Sequence, residues 1–162
     1  MATSEEKLLL SVSYEMEKFS NDWRHCDYSA SYLAQLISSR ATDPTKQSIM
    51  LSTVINELLE VIYHLKEKTR SLMIEIKDSG SDIIIDFCLS MSEKNQLLFN
   101  SFFSCNDAEQ LKKVYLSELK RVVNNEEAHR FIGLYEIIAD YDVQLSYQKK
   151  PEINILRMKL AA

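Results

Sequence analysis

Residues 56–61 read Asn56-Glu57-Leu58-Leu59-Glu60-Val61 and lie in the middle of a long amphipathic pattern with helical spacing. Asp43-Pro44 predicts where this helix begins, because aspartate caps free backbone N–H groups and proline needs no N–H at the first helical position. The pattern predicts that the helix runs to about Lys66. Its expected core stripe consists of Leu51, Ile55, Leu58, Ile62 and Leu65.

The remaining elements follow from the spacing of apolar residues and from turn and capping signals. Alternating apolar residues predict strands over 8–16, 69–77, 82–89, 143–148 and 153–160. Helical spacing and capping residues predict helices over 28–39, 107–122 and 124–139. Residues 92–103 are ambiguous, with a helix favoured. In the helix over 28–39, the residues at helical spacing are Tyr32, Leu33, Leu36 and Ile37. Residues 20–28 are polar and predict an irregular segment that places Trp23 in a loop.

The predicted order of elements is β-α-α-β-β-α-α-α-β-β. Short turns over 78–81 and 149–152 join neighbouring strands as hairpins. Hairpins separated by helices predict an α+β fold in two layers, with a mostly antiparallel sheet covered by helices on one face. We expect a single domain over residues 1–162, since the chain shows neither a linker nor a repeat.

Composition excludes several classes of function. The net charge is -5, whereas nucleic-acid binding needs clustered lysine and arginine, so no nucleic-acid partner is expected. No apolar stretch approaches ~18 residues, so no membrane-spanning helix is expected. The first residues are acidic, which is unlike a signal peptide. Three widely spaced cysteines suit a reducing compartment, and we expect a cytoplasmic protein.

Glycine is rare, with two residues in the chain, and this bears on nucleotide binding. Loops that cradle phosphates need several glycines so that backbone N–H groups can approach the ligand. Neither a Walker-type loop nor a Gly-x-Gly-x-x-Gly motif occurs.

Two segments resemble the ATP-binding fold of the GHKL family, which includes gyrases, histidine kinases and anti-sigma-factor kinases. Residues 56–61 resemble its N box, which reads Asn-Glu-Leu-Leu-Glu-Asn-Ala in family members. Residues 133–145, Gly-Leu-Tyr-Glu-Ile-Ile-Ala-Asp-Tyr-Asp-Val-Gln-Leu, are similar to a Gly-Leu…Asp-Tyr…Leu run near the C-terminus. The chain is most similar to the SiaB-like kinases and the related cyanobacterial regulators.

The resemblance implies a nucleotide site that has degenerated. It implies that Glu57 occupies the place of a general base, and that Val61 replaces the asparagine that holds Mg²⁺. Mg²⁺ needs hard oxygen ligands, which valine lacks. Gly133 and Leu134 stand where the glycine-rich lid would lie, with bulky residues before them. We therefore expect no metal site and no cofactor; ATP and Mg²⁺ would bind only if the protein were an active kinase.

The leading hypothesis is a noncatalytic regulatory protein of bacterial signalling, of the partner-switching type. Its implied protein partner is STAS-like or a response regulator, and Trp23 and His64 are the candidate partner-binding residues. The alternative is an ATP-dependent serine/threonine protein kinase of the SiaB or anti-sigma-factor type, with Glu57 as its catalytic residue. A third hypothesis is a homodimer whose sheet edges or helices pair.

Each candidate residue also has a plainer interpretation. Glu57 would be an ordinary helix carboxylate, and His64 would form a surface pair with Glu60 one turn away. Trp23 would pack against neighbouring residues of the same chain, and Cys88 would be a buried thiol within a strand. A zinc site built from residues 25–27 with Cys105 and His129 is disfavoured, because paired ligand spacing is missing. Asp140-Tyr141-Asp142 favours the end of a helix over a cation site.

Overall fold

A computed structural model describes residues 5–67, 71–104, 113, 116–117 and 132–161. Its strands are β1 (Lys7–Glu15), β2 (Ser71–Asp78), β3 (Asp82–Leu89), β4 (Gln144–Lys149) and β5 (Asn154–Ala161). Its helices are α1 (Met16–Phe19), α2 (Arg24–Ser38), α3 (Pro44–Leu65), α4 (Glu93–Phe103) and α5 (Ile132–Tyr141). Residues 113, 116 and 117 are helical, and the rest of the helix expected over 107–122 lies outside the described residues, as does the start of the one expected over 124–139.

The strands form one antiparallel sheet in the order β1-β2-β3-β5-β4. The turn between β2 and β3 places Gly80 at a φ of 86°, a backbone conformation that favours glycine. The Gly80 N–H donates to the Asp78 carboxylate at 2.7 Å. Both expected hairpins and the α+β class are confirmed. The covering of one sheet face by helices, and the single domain over 1–162, stay predictions.

The chain forms two compact units. The first unit contains the five strands and α4. One face of β2 is fully buried through Leu72, Ile74 and Ile76. Helix α4 lies against β4, where the ring centroid of Phe99 is 5.6 Å from that of Tyr147. Residue Cys88 of β3 is buried, as predicted.

The opposite face of the sheet carries a network of ion pairs centred on Asp86, which is 2% exposed. Its carboxylate accepts hydrogen bonds from the Arg157 guanidinium at 2.7 and 2.8 Å and from Lys77 at 2.7 Å. The Glu6 carboxylate pairs with Arg157 at 2.9 Å. Burial opposes ionisation of Asp86, but the hydrogen bonds from Arg157 and Lys77 outweigh it and lower the pKa of the carboxyl. The two cations therefore stabilise a buried carboxylate.

The second unit contains α2, α3 and α5. Helix α3 begins as predicted, since the Asp43 carboxylate accepts a hydrogen bond from the Lys46 N–H at 3.1 Å. It ends at Lys66, which adopts the left-handed conformation with a φ of 50°. All five residues of the expected core stripe are buried: Leu51, Ile55, Leu58, Ile62 and Leu65.

Helix α2 begins earlier than predicted, at Arg24 rather than at Tyr28. The Asp22 carboxylate accepts a hydrogen bond from the Arg24 N–H at 3.0 Å and also pairs with the Arg24 side chain. The prediction of an irregular segment over 20–28 is therefore wrong from Arg24 onward. Cys26 is fully buried in the first turn of the helix. Helices α2 and α3 lie side by side.

Candidate functional site

Val61, which the resemblance aligns with a metal-binding asparagine, belongs to the core of α3. Its side chain is 3% exposed, as buried as its neighbours Leu58 and Ile62. Glu57 is one turn earlier and is only half-buried. The two positions therefore do not share an open surface, and position 61 does not project into solvent.

Glu57 lies against the backbone of α5 at Gly133. A methyl group added to Gly133 would lie 2.7 Å from Cδ of Glu57 and would overlap its Oε2. Helices α3 and α5 therefore approach each other closely where glycine provides the space. The structure thus brings together two residues that the resemblance assigned to the same site, although they are distant in sequence.

The local electrostatics make Glu57 hard to ionise. Burial raises the pKa of its carboxyl, and the nearby carboxylates of Glu60 and Glu136 raise it further. A carboxyl with a raised pKa keeps its proton to a higher pH than an exposed carboxyl does.

The polar neighbours of Glu57 are engaged with each other. The Asn56 side-chain amide donates to the Glu60 carboxylate at 2.7 Å. The Asn56 Oδ1 atom is buried and has no hydrogen-bond partner among the described residues. No group of three or more histidine, cysteine, aspartate or glutamate side chains in the described part of the chain could hold a metal ion.

Residues 133 and 134, which the resemblance assigns to a lid, contribute a core residue rather than a ligand. Leu134 is fully buried, and Gly133 provides the close approach to Glu57. Helix α5 ends at Tyr141, and Asp142 follows with a φ of 52°. The expectation that residues 140–142 end a helix before a strand is therefore confirmed.

The two candidate partner-binding residues are both accessible. Trp23 is 60% exposed at the start of α2. His64 is exposed near the end of α3, with its ring edge-on to Tyr63 at 5.3 Å. Glu60, its expected surface partner, accepts the hydrogen bond from Asn56 instead.

Cys26, one of the two cysteines of the disfavoured zinc site, is buried within α2. Burial, followed by the nearby Glu60 carboxylate, raises the pKa of the Cys26 thiol to about 12. Such a thiol is unsuited to metal binding or nucleophilic chemistry at neutral pH. Cys105 and His129 lie in parts of the chain that the structure does not describe.

Sequence reasoning missed a large exposed face on α2. Tyr28, Tyr32 and Leu36 are 65%, 57% and 44% exposed, although two of them had been grouped with the buried Leu33 by helical spacing. The signal was present in the chain, because residues 28, 32 and 36 recur every four positions and therefore lie in one row along the helix. Ile49 of α3 is also 64% exposed.

Within the described residues, α3 alone is long and apolar enough to cross a membrane. The mean hydropathy of its apolar window is 1.2, and 44% of that window is buried inside the protein. The core helix of a globular domain has the same length and composition, so α3 by itself is weak support for a membrane location.

No protein-family model, curated protein or solved structure matches the chain. The assignment of a role to these residues therefore rests on their geometry and on the resemblance of two short segments.

Proposed function

We propose that this protein is a noncatalytic regulator of bacterial signalling, built on a degenerate GHKL-type fold of the SiaB-like kind. It acts by binding another protein rather than by transferring phosphate. The single observation that carries this proposal is the position of Val61 in the core of α3.

An N box works by presenting two side chains together at the nucleotide. The asparagine oxygen holds Mg²⁺ against the phosphates, while the first carboxylate acts as a base. In this chain position 61 is apolar and buried, and Glu57 faces the backbone of Gly133. Neither Val61 nor Glu57 is therefore placed to bind a metal–nucleotide complex.

The exposed aromatic residues of the helical unit support binding to a protein. Trp23 is 60% exposed, and tryptophan is enriched among residues that contribute most to protein interfaces. His64 offers a second accessible contact. We propose a partner that is STAS-like or a response regulator, as the family resemblance suggests.

A matched pair of variants tests the role of Trp23. Trp23→Ala should abolish the capture of a cognate partner, whereas Leu97→Ala should leave it intact. Leu97 is a suitable control because it is 69% exposed on α4, in the other unit. If both variants capture the partner equally well, Trp23 does not belong to the binding surface.

The alternative function, a serine/threonine protein kinase, is favoured by the raised pKa of Glu57, since such a carboxyl can serve as a general base. Calorimetry with Mg-ATP separates the two functions. The noncatalytic protein releases no binding heat, while a kinase binds Mg-ATP tightly. In a kinase, Glu57→Ala would keep that binding and lose phosphotransfer.

A further inference from the structure

Strand β4 forms one free edge of the sheet. In the order β1-β2-β3-β5-β4 it pairs with β5 on one side, and no described strand lies on its other side. Its register with β5 is regular from Gln144 to Lys149. The other edge strand, β1, has a register shift between Leu8 and Leu10, and such an irregularity interrupts pairing with a further strand. Strand β4 is therefore the more regular of the two edges.

The hydrogen bonding of the β4–β5 hairpin shows which backbone groups face the free edge. The Lys150 N–H donates to the Ile153 carbonyl at 2.9 Å, so these two residues form a hydrogen-bonded pair. Hydrogen-bonded and non-hydrogen-bonded pairs alternate along an antiparallel ladder, so the N–H and C=O groups of Leu145, Tyr147 and Lys149 point away from β5. Such a row of unpaired groups is complementary to the backbone of an extended strand.

We propose that two copies of this chain pair edge to edge through β4, so that their sheets become continuous. The two β4 strands run antiparallel, with a two-fold axis normal to the sheet at Ser146. In this register Leu145 of each copy lies opposite Tyr147 of the other copy. Both residues direct their N–H and C=O groups to the edge, so they form a hydrogen-bonded pair, and the axis generates the same pair a second time.

The side chains of this register match on both faces of the sheet. Leu145 and Tyr147 are half-buried, and the Tyr147 ring centroid is 5.6 Å from that of Phe99 in α4. Cross-strand pairs of Leu145 with Tyr147 extend this apolar layer from one copy into the other. On the opposite face the exposed Gln144 of one copy lies opposite the exposed Gln148 of the other copy, and their amides are complementary donors and acceptors.

The charges at the two ends of β4 favour a second copy as the strand that pairs there. Asp142 lies just before the strand, whereas Lys149 ends it and Lys150 follows. Together with Glu152 in the turn, these two lysines carry one net positive charge. Antiparallel pairing brings the start of each β4 to the end of the other, so Asp142 of one copy approaches Lys150 of the other copy. The edge is therefore complementary to itself.

Light scattering across a hundredfold range of protein concentration tests the proposal. The wild-type chain should form a dimer, and Ser146→Arg should weaken it by about tenfold or more, because two positive charges then meet at the axis. Ser13→Arg is the matched control, since Ser13 is exposed on the other edge strand, and it should leave the dimer unchanged. Unaltered thermal unfolding of both variants would show that they fold. A wild-type monomer throughout, or equal effects of the two variants, would overturn the proposal.

A charge exchange tests the register. Asp142→Lys and Lys150→Asp should each weaken the homodimer by about threefold or more, because each sets like charges against each other. An equimolar mixture of the two variants should dimerise as tightly as the wild type, since both pairs in the mixed dimer again join opposite charges. A mixture that associates no more tightly than the separate variants would overturn the proposed pairing.

Cysteine cross-linking gives a further readout. In a Cys105→Ser background, where Cys26 and Cys88 are buried, Ser146→Cys should form a cross-linked dimer under mild oxidation, because directly opposite residues of antiparallel strands lie within disulfide range. Ser13→Cys should not. An edge that pairs only with an extended segment of a different protein would leave the pure chain monomeric, which would also overturn the proposal. No nucleotide or other protein enters these assays, so their outcome is independent of the proposed function.

Discussion

The carboxylate of Glu57 in α3 lies directly against Gly133 in α5, where a β-carbon would overlap it. Gly133→Ala should therefore stabilise the protein by less than the about 1 kcal/mol that helix propensity alone would give, because the end of the Glu57 side chain has to move away from the added methyl group. In a Glu57→Ala background the same change should stabilise the protein by up to about 1 kcal/mol. Urea unfolding of the four proteins measures both effects as a double-mutant cycle.

The difference between the effects of Gly133→Ala in the two backgrounds is the decisive feature of that cycle. If Gly133→Ala has the same effect with and without the Glu57 side chain, the two residues are not in contact. The proposed close approach of α3 and α5 would then be incorrect.

Glu57→Gln should stabilise the protein near neutral pH. Burial, Glu60 and Glu136 raise the pKa of Glu57 in the folded state above its ordinary value of 4.5. The folded protein then holds this proton more tightly than the unfolded chain, so the contribution of Glu57 to stability falls as pH rises from 4.5 through the folded pKa. The difference in stability between Glu57→Gln and the wild type should disappear below pH 4.5. Thermal unfolding measured against pH checks this, and a pH-independent difference between the two proteins would contradict it.

Val61→Asn introduces the asparagine of the GHKL N box but should not create a binding site for Mg-ATP. Position 61 is buried, so an amide without partners should cost roughly 1–3 kcal/mol of unfolding free energy. Val61→Thr is a matched control that should cost less, since its hydroxyl can donate to a carbonyl in the preceding helical turn. Full stability of Val61→Asn together with Mg-dependent ATP binding would place this residue in an open cleft instead.

Asp86→Ala should be among the most damaging substitutions in the sheet. The Asp86 side chain is 3% exposed, and its removal leaves Arg157 to pair with Glu6 and Lys77 to pair with Glu75, at a cost of about 1.5–3 kcal/mol for the lost charged hydrogen bonds. Glu6→Ala removes the more exposed partner of Arg157 and should cost less than about 1 kcal/mol. Urea unfolding measures both values, and equal losses would show that the network is not centred on Asp86.

Acid should reproduce part of the Asp86 effect. The pKa of Asp86 is lowered in the folded state, so its contribution is complete above the ordinary value of 3.8 and is lost as pH falls through the folded pKa. The difference in stability between the wild type and Asp86→Ala should therefore shrink below pH 3.8.

Local chemistry made much of the fold predictable. Asp43-Pro44 specifies the start of α3, and Gly80 supplies the backbone conformation that the β2–β3 turn requires. The start of α2 was missed because Asp22 and Arg24 resemble loop residues. In the structure they make a local ion pair at the point where the helix begins.

The candidate site depended on contacts that spacing does not encode. Residues 56–61 resemble an N box, in which the first carboxylate and the asparagine four residues later lie on one face of the helix, but tertiary packing buries Val61 and leaves Glu57 half-exposed. The approach of Gly133 to Glu57 joins segments far apart in the chain. Likewise, helical spacing alone did not distinguish the exposed Tyr32 from the buried Leu33, because both positions are apolar enough for a core.

Isothermal titration calorimetry of the wild-type protein with Mg-ATP tests the central claim most directly. With valine at position 61 buried in the core of α3, we predict no binding heat with or without Mg²⁺. Tight, Mg-dependent binding that Glu57→Ala leaves intact, accompanied by loss of phosphotransfer in that variant, would contradict the account and identify the protein as a kinase.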